Sequence, residues 1–254
     1  MYNNFLRKIC ESLFDLNSSI SFIETHKTPI VGILCYLLYP KQLRINKDIL
    51  YLYSIVHNLL LTIFSAVTFG SMVQILINDG LVFKSGYYFQ NPKFVKIMYY
   101  FYLSKYYEFF DTFLLYLNGK TPIFLQKYHH IGAVIVWYLA FINGVDCIWI
   151  PTFVNSFVHT IMYFYFLCCL LKINQVRYIK KYITTLQLAQ LIISGYFGLV
   201  YYYPPIETQE KYNIILFFYC YVVILIVLFL QFYYKTYIFK NSIIKNSPIK
   251  NKID

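Results

Sequence analysis

The chain has 254 residues, of which 59% are hydrophobic and 13% are charged, and its formal net charge is +11 at pH 7. A soluble domain carries about 25% charged residues, so this composition excludes an ordinary soluble protein and indicates a protein embedded in a membrane. The positive charge does not indicate nucleic-acid binding, because no basic block lies on the soluble surface that such binding requires.

Hydrophobic windows of about 20 residues predict an all-α membrane protein with seven transmembrane helices in a single domain, residues 1–254. The predicted spans are residues 18–39, 50–77, 94–117, 125–145, 147–170, 180–203 and 213–237. His26 and Lys27 interrupt the first span, so the apolar run that follows them is short for a full crossing.

The distribution of lysine and arginine predicts how the chain is oriented. The first, third and fifth loops together with the C-terminal segment carry about twice as many of these residues as the opposite side, which places them in the cytosol. The N-terminus is then lumenal, and residues 238–254 form a basic cytosolic tail. The last five residues, "KNKID", resemble the dilysine retrieval signal of endoplasmic reticulum membrane proteins. We therefore expect the protein to lie in the endoplasmic reticulum membrane.

Ionisable residues inside a membrane are costly and are functional candidates. The third span contains "SKYYEFFDT", in which Lys105, Glu108, Asp111 and Thr112 share one helical face. A structural interpretation is also open, in which Lys105 and Glu108 form an ion pair that helps to assemble the bundle.

Three further spans contribute polar side chains, which share one face in the fifth and sixth spans and lie near the cytosolic entrance in the fourth. They are Gln126, His129 and His130 in the fourth, Asn155, His159 and Tyr163 in the fifth, and Thr184, Gln187 and Gln190 in the sixth. A lone buried histidine is more often a hydrogen-bonded core residue, and such amides often only link helices. At about 1.5 Å per residue, however, groups from four helices converge in the cytosolic half. A polar chamber with apolar walls suits a substrate with a soluble head and an apolar tail, such as an acyl-CoA.

Four motifs in this region resemble those of the ELO family of very-long-chain fatty acid elongases. They are "KYYEFFDT" (family pattern KxxExxDT), "QKYHH" (HxxHH), "NSFVHTIMYFYF" (NxxxHxxMYxYY) and "TTLQLAQ" (TxxQxxQ), in the family's order. Two departures stand out: Gln126 replaces the first histidine of the box found in many members, and the third motif ends in "YFYF".

The resemblance implies the condensation of malonyl-CoA with an acyl-CoA to give 3-ketoacyl-CoA, CO2 and free CoA, without a metal or another cofactor. Helices two to seven are then expected to surround an acyl tunnel. A neutral imidazole, His129 with His159 as a second contact, attacks the thioester and forms an acyl-histidine. The implied catalytic residues are His129, His130, His159, Lys105, Glu108 and Asp111. The implied substrate-binding residues are Gln126, Asn155, Tyr163, Thr184, Gln187 and Gln190.

The expected partners are acyl-CoA, malonyl-CoA, the lipid bilayer and the reductases and dehydratase of the elongation cycle; a homodimer is left open. Two alternatives compete with the elongase interpretation. A di-iron desaturase or hydroxylase needs more histidine ligands than the five in this chain, of which His26 and His57 are taken to lie apart. A seven-helix transporter or receptor would explain the buried charges, but not four ordered motifs.

Overall fold

A computed structural model of the chain describes residues 28–39, 43, 45–84, 86–202 and 208–239. The α-helices in these residues are α1 (Thr28–Leu38), α2 (Lys47–Asp79), α3 (Pro92–Tyr107), α4 (Phe109–Leu117), α5 (Phe124–Ile142), α6 (Trp149–Leu170), α7 (Lys180–Tyr202) and α8 (Gln209–Tyr233). Short 3₁₀ turns lie at Tyr88–Gln90, Asp146–Ile148 and Asn174–Ile179, and α8 runs into a π-helical turn at Tyr234–Phe239. No strand occurs within the described ranges.

The predicted all-α fold with several membrane spans is confirmed. In the described part of the chain, four helical segments, residues 47–79, 146–170, 180–200 and 209–239, are long and apolar enough to cross a membrane. The other predicted spans correspond to α1, to α3 with α4, and to α5. Residues 18–27 of the first span, and residues 240–254 of the predicted tail, lie outside the described part of the chain.

The third predicted span is not one continuous helix. Glu108 separates α3 from α4, although its backbone N–H still bonds the Ser104 carbonyl at 2.9 Å. The sequence did not predict this interruption, because no proline or glycine marks it. The interruption falls inside the first motif, between Lys105 and Asp111.

Helix α2 packs extensively against α6. The buried face of α2 carries small polar residues, among them Ser54, Ser65 and Thr68. Small side chains let helix backbones approach closely in a membrane, where apolar burial alone does not hold helices together. The remaining faces of α2 are apolar and exposed, as expected for contact with lipid.

The two ends of the bundle are closed by well-defined turns. Helix α4 ends in a Schellman motif, in which Gly119 has φ of 70° and the Lys120 N–H bonds the Leu115 carbonyl at 2.9 Å. At the opposite end, the buried carboxylate of Asp146 accepts backbone N–H bonds from Tyr88 and Phe89, at 3.0 and 3.3 Å. These bonds fix the α2–α3 connection to the start of α6.

Candidate active site

A cavity of about 630 Å³ opens into one end of the helix bundle. Its lining comes from α2, α4, α5, α6, α7 and α8, and includes Asn118, Lys120 and Ile123 of the α4–α5 connection. No residue of α1 is part of this lining among the described residues. The second to seventh predicted spans therefore surround the cavity, as expected.

The break between α3 and α4 places two carboxylates in the cavity wall. Glu108 occupies the break itself, and Asp111 lies in the first turn of α4. Lys105, at the end of α3, approaches Glu108 with 2.6 Å between Nζ and Oε1, and both side chains are almost fully buried. The ion pair expected as the structural interpretation is therefore present.

Lys105 closes the inner end of the site. Its Nζ also donates to Asn155 Oδ1 at 3.2 Å, and it lies 4.0 Å from the ring centroid of Phe101 and 5.3 Å from that of Trp137. These ring faces stabilise the ammonium electrostatically. Neither Lys105 nor Asn155 lines the cavity, so Lys105 contacts Glu108 from behind the wall and Asn155 in turn contacts Lys105.

Glu108 meets two histidines at the inner part of the cavity. His159 Nδ1 lies 3.6 Å from Glu108 Oε1. One ring nitrogen of His129, one of His159 and one oxygen of Glu108 lie within 4.8 Å of one another. Two imidazoles and a carboxylate thus converge on a volume the size of a reacting group, and all three line the cavity.

Asp111 is the centre of a second cluster. Its Oδ1 lies 2.8 Å from His57 Nε2, and its Oδ2 accepts a 2.7 Å hydrogen bond from the Tyr163 hydroxyl. His130 Nε2 lies 4.0 Å from the same Oδ2. The assignment of His57 to a position apart from the histidine box was wrong, because α2 crosses α4 at this depth and brings the ring to Asp111.

Gln126 takes part in a chain of neutral hydrogen bonds beside the carboxylates. Its Nε2 donates to Thr112 Oγ1 at 3.2 Å, and Thr112 Oγ1 lies 3.0 Å from the hydroxyl of Tyr36 in α1. The amide therefore fills the first position of the box with an uncharged donor.

The three polar residues of α7 occupy different settings. Gln187 and Gln190 line the cavity, and Gln190 Oε1 is buried without a hydrogen-bond partner. Gln187 Nε2 contacts Met162 Sδ at 3.1 Å, which links α7 to α6. Thr184 lies outside the lining and approaches the Tyr237 hydroxyl at 3.1 Å, so a direct substrate contact expected from the motif is not supported by its position.

The cluster of Glu108, His129 and His159 has the ligand types of a metal site. Its setting does not suit a divalent cation, because the Lys105 ammonium already lies 2.6 Å from the Glu108 carboxylate and would repel a second positive charge. The residues fit an organic reaction better than a metal centre.

His57 and Tyr221, which contact the predicted site residues Asp111 and His129, could not be predicted from the sequence. His57 lies in an apolar segment without a family motif, and the only indication was its position on the face of α2 that also carries Ser54 and Asn58. Tyr221 of α8 is one of 29 tyrosines, and its contact with His129 could not be distinguished by pattern.

Comparisons with known proteins agree with the family resemblance of the four sequence motifs. Fatty acid elongase sre1 of Dictyostelium discoideum is 39% identical over 115 residues, which are 45% of this chain and 41% of that protein. Very long chain fatty acid elongase 5 of Xenopus tropicalis is 31% identical over 198 residues, 72% of this chain and 64% of that protein. Very long chain fatty acid elongase 2 of Rattus norvegicus is 32% identical over 148 residues, 56% and 52% of the two chains.

The matched parts cover between about two fifths and just under two thirds of these relatives. The sequence model of the ELO family, described as the GNS1/SUR4 family, matches residues 21–244. This range contains all four motifs and every residue of the cavity wall. The chain belongs to the ELO (GNS1/SUR4) family.

Proposed function

We propose that this protein is a very-long-chain 3-oxoacyl-CoA synthase, which condenses malonyl-CoA with a long-chain acyl-CoA in fatty acid elongation. The observation that carries the proposal is the convergence of His129, His159 and Glu108 within 4.8 Å in the wall of a cavity. The family and the elongase names of its relatives support the same reaction.

The first step uses His129 as the nucleophile. A neutral ring nitrogen attacks the thioester carbonyl carbon, the carbon–sulfur bond breaks, and the electron pair leaves with the sulfur of CoA. The acyl group is then held on an imidazolium, and the nearby Glu108 carboxylate stabilises its positive charge. His159, with Nδ1 3.6 Å from Glu108, supplies a second imidazole beside the reacting carbon.

The second step consumes the acyl-histidine. Malonyl-CoA loses CO2, and the carbanion left on its methylene group attacks the acyl carbon. The bond to nitrogen breaks, its electron pair returns to His129, and 3-ketoacyl-CoA leaves. Covalent catalysis of this kind divides one difficult step into two easier ones, and no metal or further cofactor is needed.

The outer part of the cavity suits the soluble half of the substrate. Lys120 lines the mouth, and Lys127, Lys172, Lys180 and Lys181 lie at the same end of the bundle. Ammonium groups attract the phosphates of CoA, while inner wall residues such as Leu191 and Phe229 offer an apolar path for the acyl chain.

This arrangement gives the orientation that we propose. The mouth faces the cytosol, where CoA esters are found, with the C-terminus on the same side and the N-terminus in the lumen of the endoplasmic reticulum. The reductases and dehydratase that complete the cycle would receive the 3-ketoacyl-CoA from this side.

The test is condensation by the purified protein with labelled malonyl-CoA and a panel of acyl-CoAs of increasing length. We expect a 3-ketoacyl-CoA from wild type and none from His129→Ala. Ile77→Ala is the matched control, because Ile77 is 76% exposed at the other end of α2, and it should keep wild-type turnover. Near-normal turnover in His129→Ala, or no product from any primer with folded wild-type protein, would overturn the proposal.

A further inference from the structure

Tyr221 makes two contacts with His129 through a single hydroxyl group. Its oxygen lies 3.0 Å from the His129 backbone carbonyl and 3.3 Å from His129 Nδ1. Tyr221 belongs to α8, is 6% exposed, and does not line the cavity. It therefore contacts His129 from behind the cavity wall.

The two contacts determine which group donates the hydrogen in each hydrogen bond. A phenol has one proton to donate, whereas a carbonyl oxygen can only accept. With the Tyr221 proton given to the His129 carbonyl, the phenol oxygen is left to accept from Nδ1–H. A neutral imidazole that carries its proton on Nδ1 has its lone pair on Nε2.

The packing around the Tyr221 ring holds its hydroxyl in the position that allows both hydrogen bonds to His129. A Cβ atom placed on Gly132 would lie 2.1 Å from Tyr221 Cε2, so only glycine leaves room for the ring at this point of α5. Tyr128, also in α5, stacks on the Tyr221 ring, with ring centroids 5.5 Å apart. Gly132 is one helical turn from His129, so the same contact that seats the ring brings the hydroxyl to the imidazole.

We propose that Tyr221 is a positioning residue that holds His129 in the Nδ1–H tautomer, so that Nε2 is the attacking atom. The inference rests on the proposed function of His129. In the acyl-histidine the ring becomes cationic, and its Nδ1–H donates more strongly to the Tyr221 oxygen. Tyr221 thus favours both the reactive tautomer and the intermediate, without touching the substrate.

Tyr221→Phe keeps the ring and removes the hydroxyl. We expect kcat to fall by about ten- to a hundredfold, as for loss of a hydrogen bond to a charged group, while KM changes less than twofold. The release of CoA from acyl-CoA alone, without malonyl-CoA, should slow by the same factor. Tyr219→Phe is the matched control, because it removes a hydroxyl from α8 outside the cavity wall, and its kinetics should not change.

A spectroscopic measurement separates this inference from the proposed function. In protein labelled with ¹⁵N at histidine, the His129 signals, assigned by their loss in His129→Gln, should report Nδ1–H in wild type and a mixture of tautomers in Tyr221→Phe. Gly132→Ala displaces the ring but keeps the hydroxyl, and should give the same mixture. Unchanged tautomers in Tyr221→Phe, or an unchanged rate of CoA release, would overturn the positioning role even if the protein proves to be an elongase.

Discussion

His57 Nε2 lies 2.8 Å from Asp111 Oδ1, and this contact joins α2 to the first motif. The His57 side chain is 1% exposed, and that of Asp111 is 22% exposed on the cavity side. The Asp111 carboxylate thus has a buried imidazole on one oxygen and the Tyr163 hydroxyl, at 2.7 Å, on the other. Asp111 Oδ2 also lies 4.0 Å from Nε2 of His130 in the histidine box. His57 therefore orients a carboxylate that faces one of the box histidines.

We predict that His57→Leu lowers stability and condensation together, because it leaves one oxygen of a half-buried carboxylate without its donor. Loss of such a hydrogen bond costs about 1–3 kcal/mol. His57→Gln should retain part of both, since its amide N–H can still donate to Asp111. The measurements are kcat and the temperature of half-unfolding in detergent.

A double-mutant cycle with Asp111→Asn isolates the pair. If the two side chains act together, the combined variant should be less destabilised than the sum of the single variants by more than about 0.5 kcal/mol. Strict additivity would show that His57 contributes only by filling space.

The Lys105–Glu108 pair gives a second prediction. Removing one member of a buried ion pair costs about 3–5 kcal/mol, because the remaining charge loses its partner. We expect Lys105→Met to be strongly destabilised, and Lys105→Met combined with Glu108→Gln to recover most of the thermal stability.

Activity should separate the two roles of the pair. The double variant should remain inactive, because Glu108 also lies 3.6 Å from His159 Nδ1 and stabilises the imidazolium in the proposed mechanism. Recovery of condensation along with stability would assign the pair to folding alone. Exposed Lys93→Met, on the outer end of α3, controls for the loss of a lysine.

The sequence could predict the helices because membrane burial requires long apolar runs, and it could predict the motif residues because charge at membrane depth is rare. It could not predict contacts between distant helices. His57 and Asp111 are 54 positions apart, and only the crossing of α2 and α4 brings them together. Similarly, no proline or glycine marks the break at Glu108, and the contacts of the neighbouring Lys105 with Asn155 and two aromatic rings come from other helices or from a turn away.

Lys172 provides a prediction about the fold rather than the site. It follows α6 with φ of 60°, and the Ile173 N–H bonds the Cys168 carbonyl at 3.0 Å. This is a Schellman motif whose left-handed position is filled by lysine, where glycine carries no penalty from Cβ. Lys172→Gly should stabilise the protein by about 1 kcal/mol.

The opposite substitution tests the same argument. Gly144 occupies the left-handed position after α5, with φ of 57°, and Gly144→Ala should lower the temperature of half-unfolding. A fall in stability for Lys172→Gly would mean that the lysine side chain contributes more than its backbone strain costs.

The Gln190 side chain is buried, and its amide oxygen accepts no hydrogen bond from the described residues. Its side chain lines the cavity, and Oε1 has no partner among the described residues. A buried amide without a partner costs stability, so Gln190→Leu should raise the temperature of half-unfolding.

If Oε1 accepts from an amide N–H of the pantetheine arm of CoA, the same variant should raise KM about two- to tenfold. Gln209→Leu removes an exposed amide that contacts Asn213 at 3.1 Å, and it should leave KM unchanged. Higher stability with an unchanged KM would show that Gln190 does not contact the substrate.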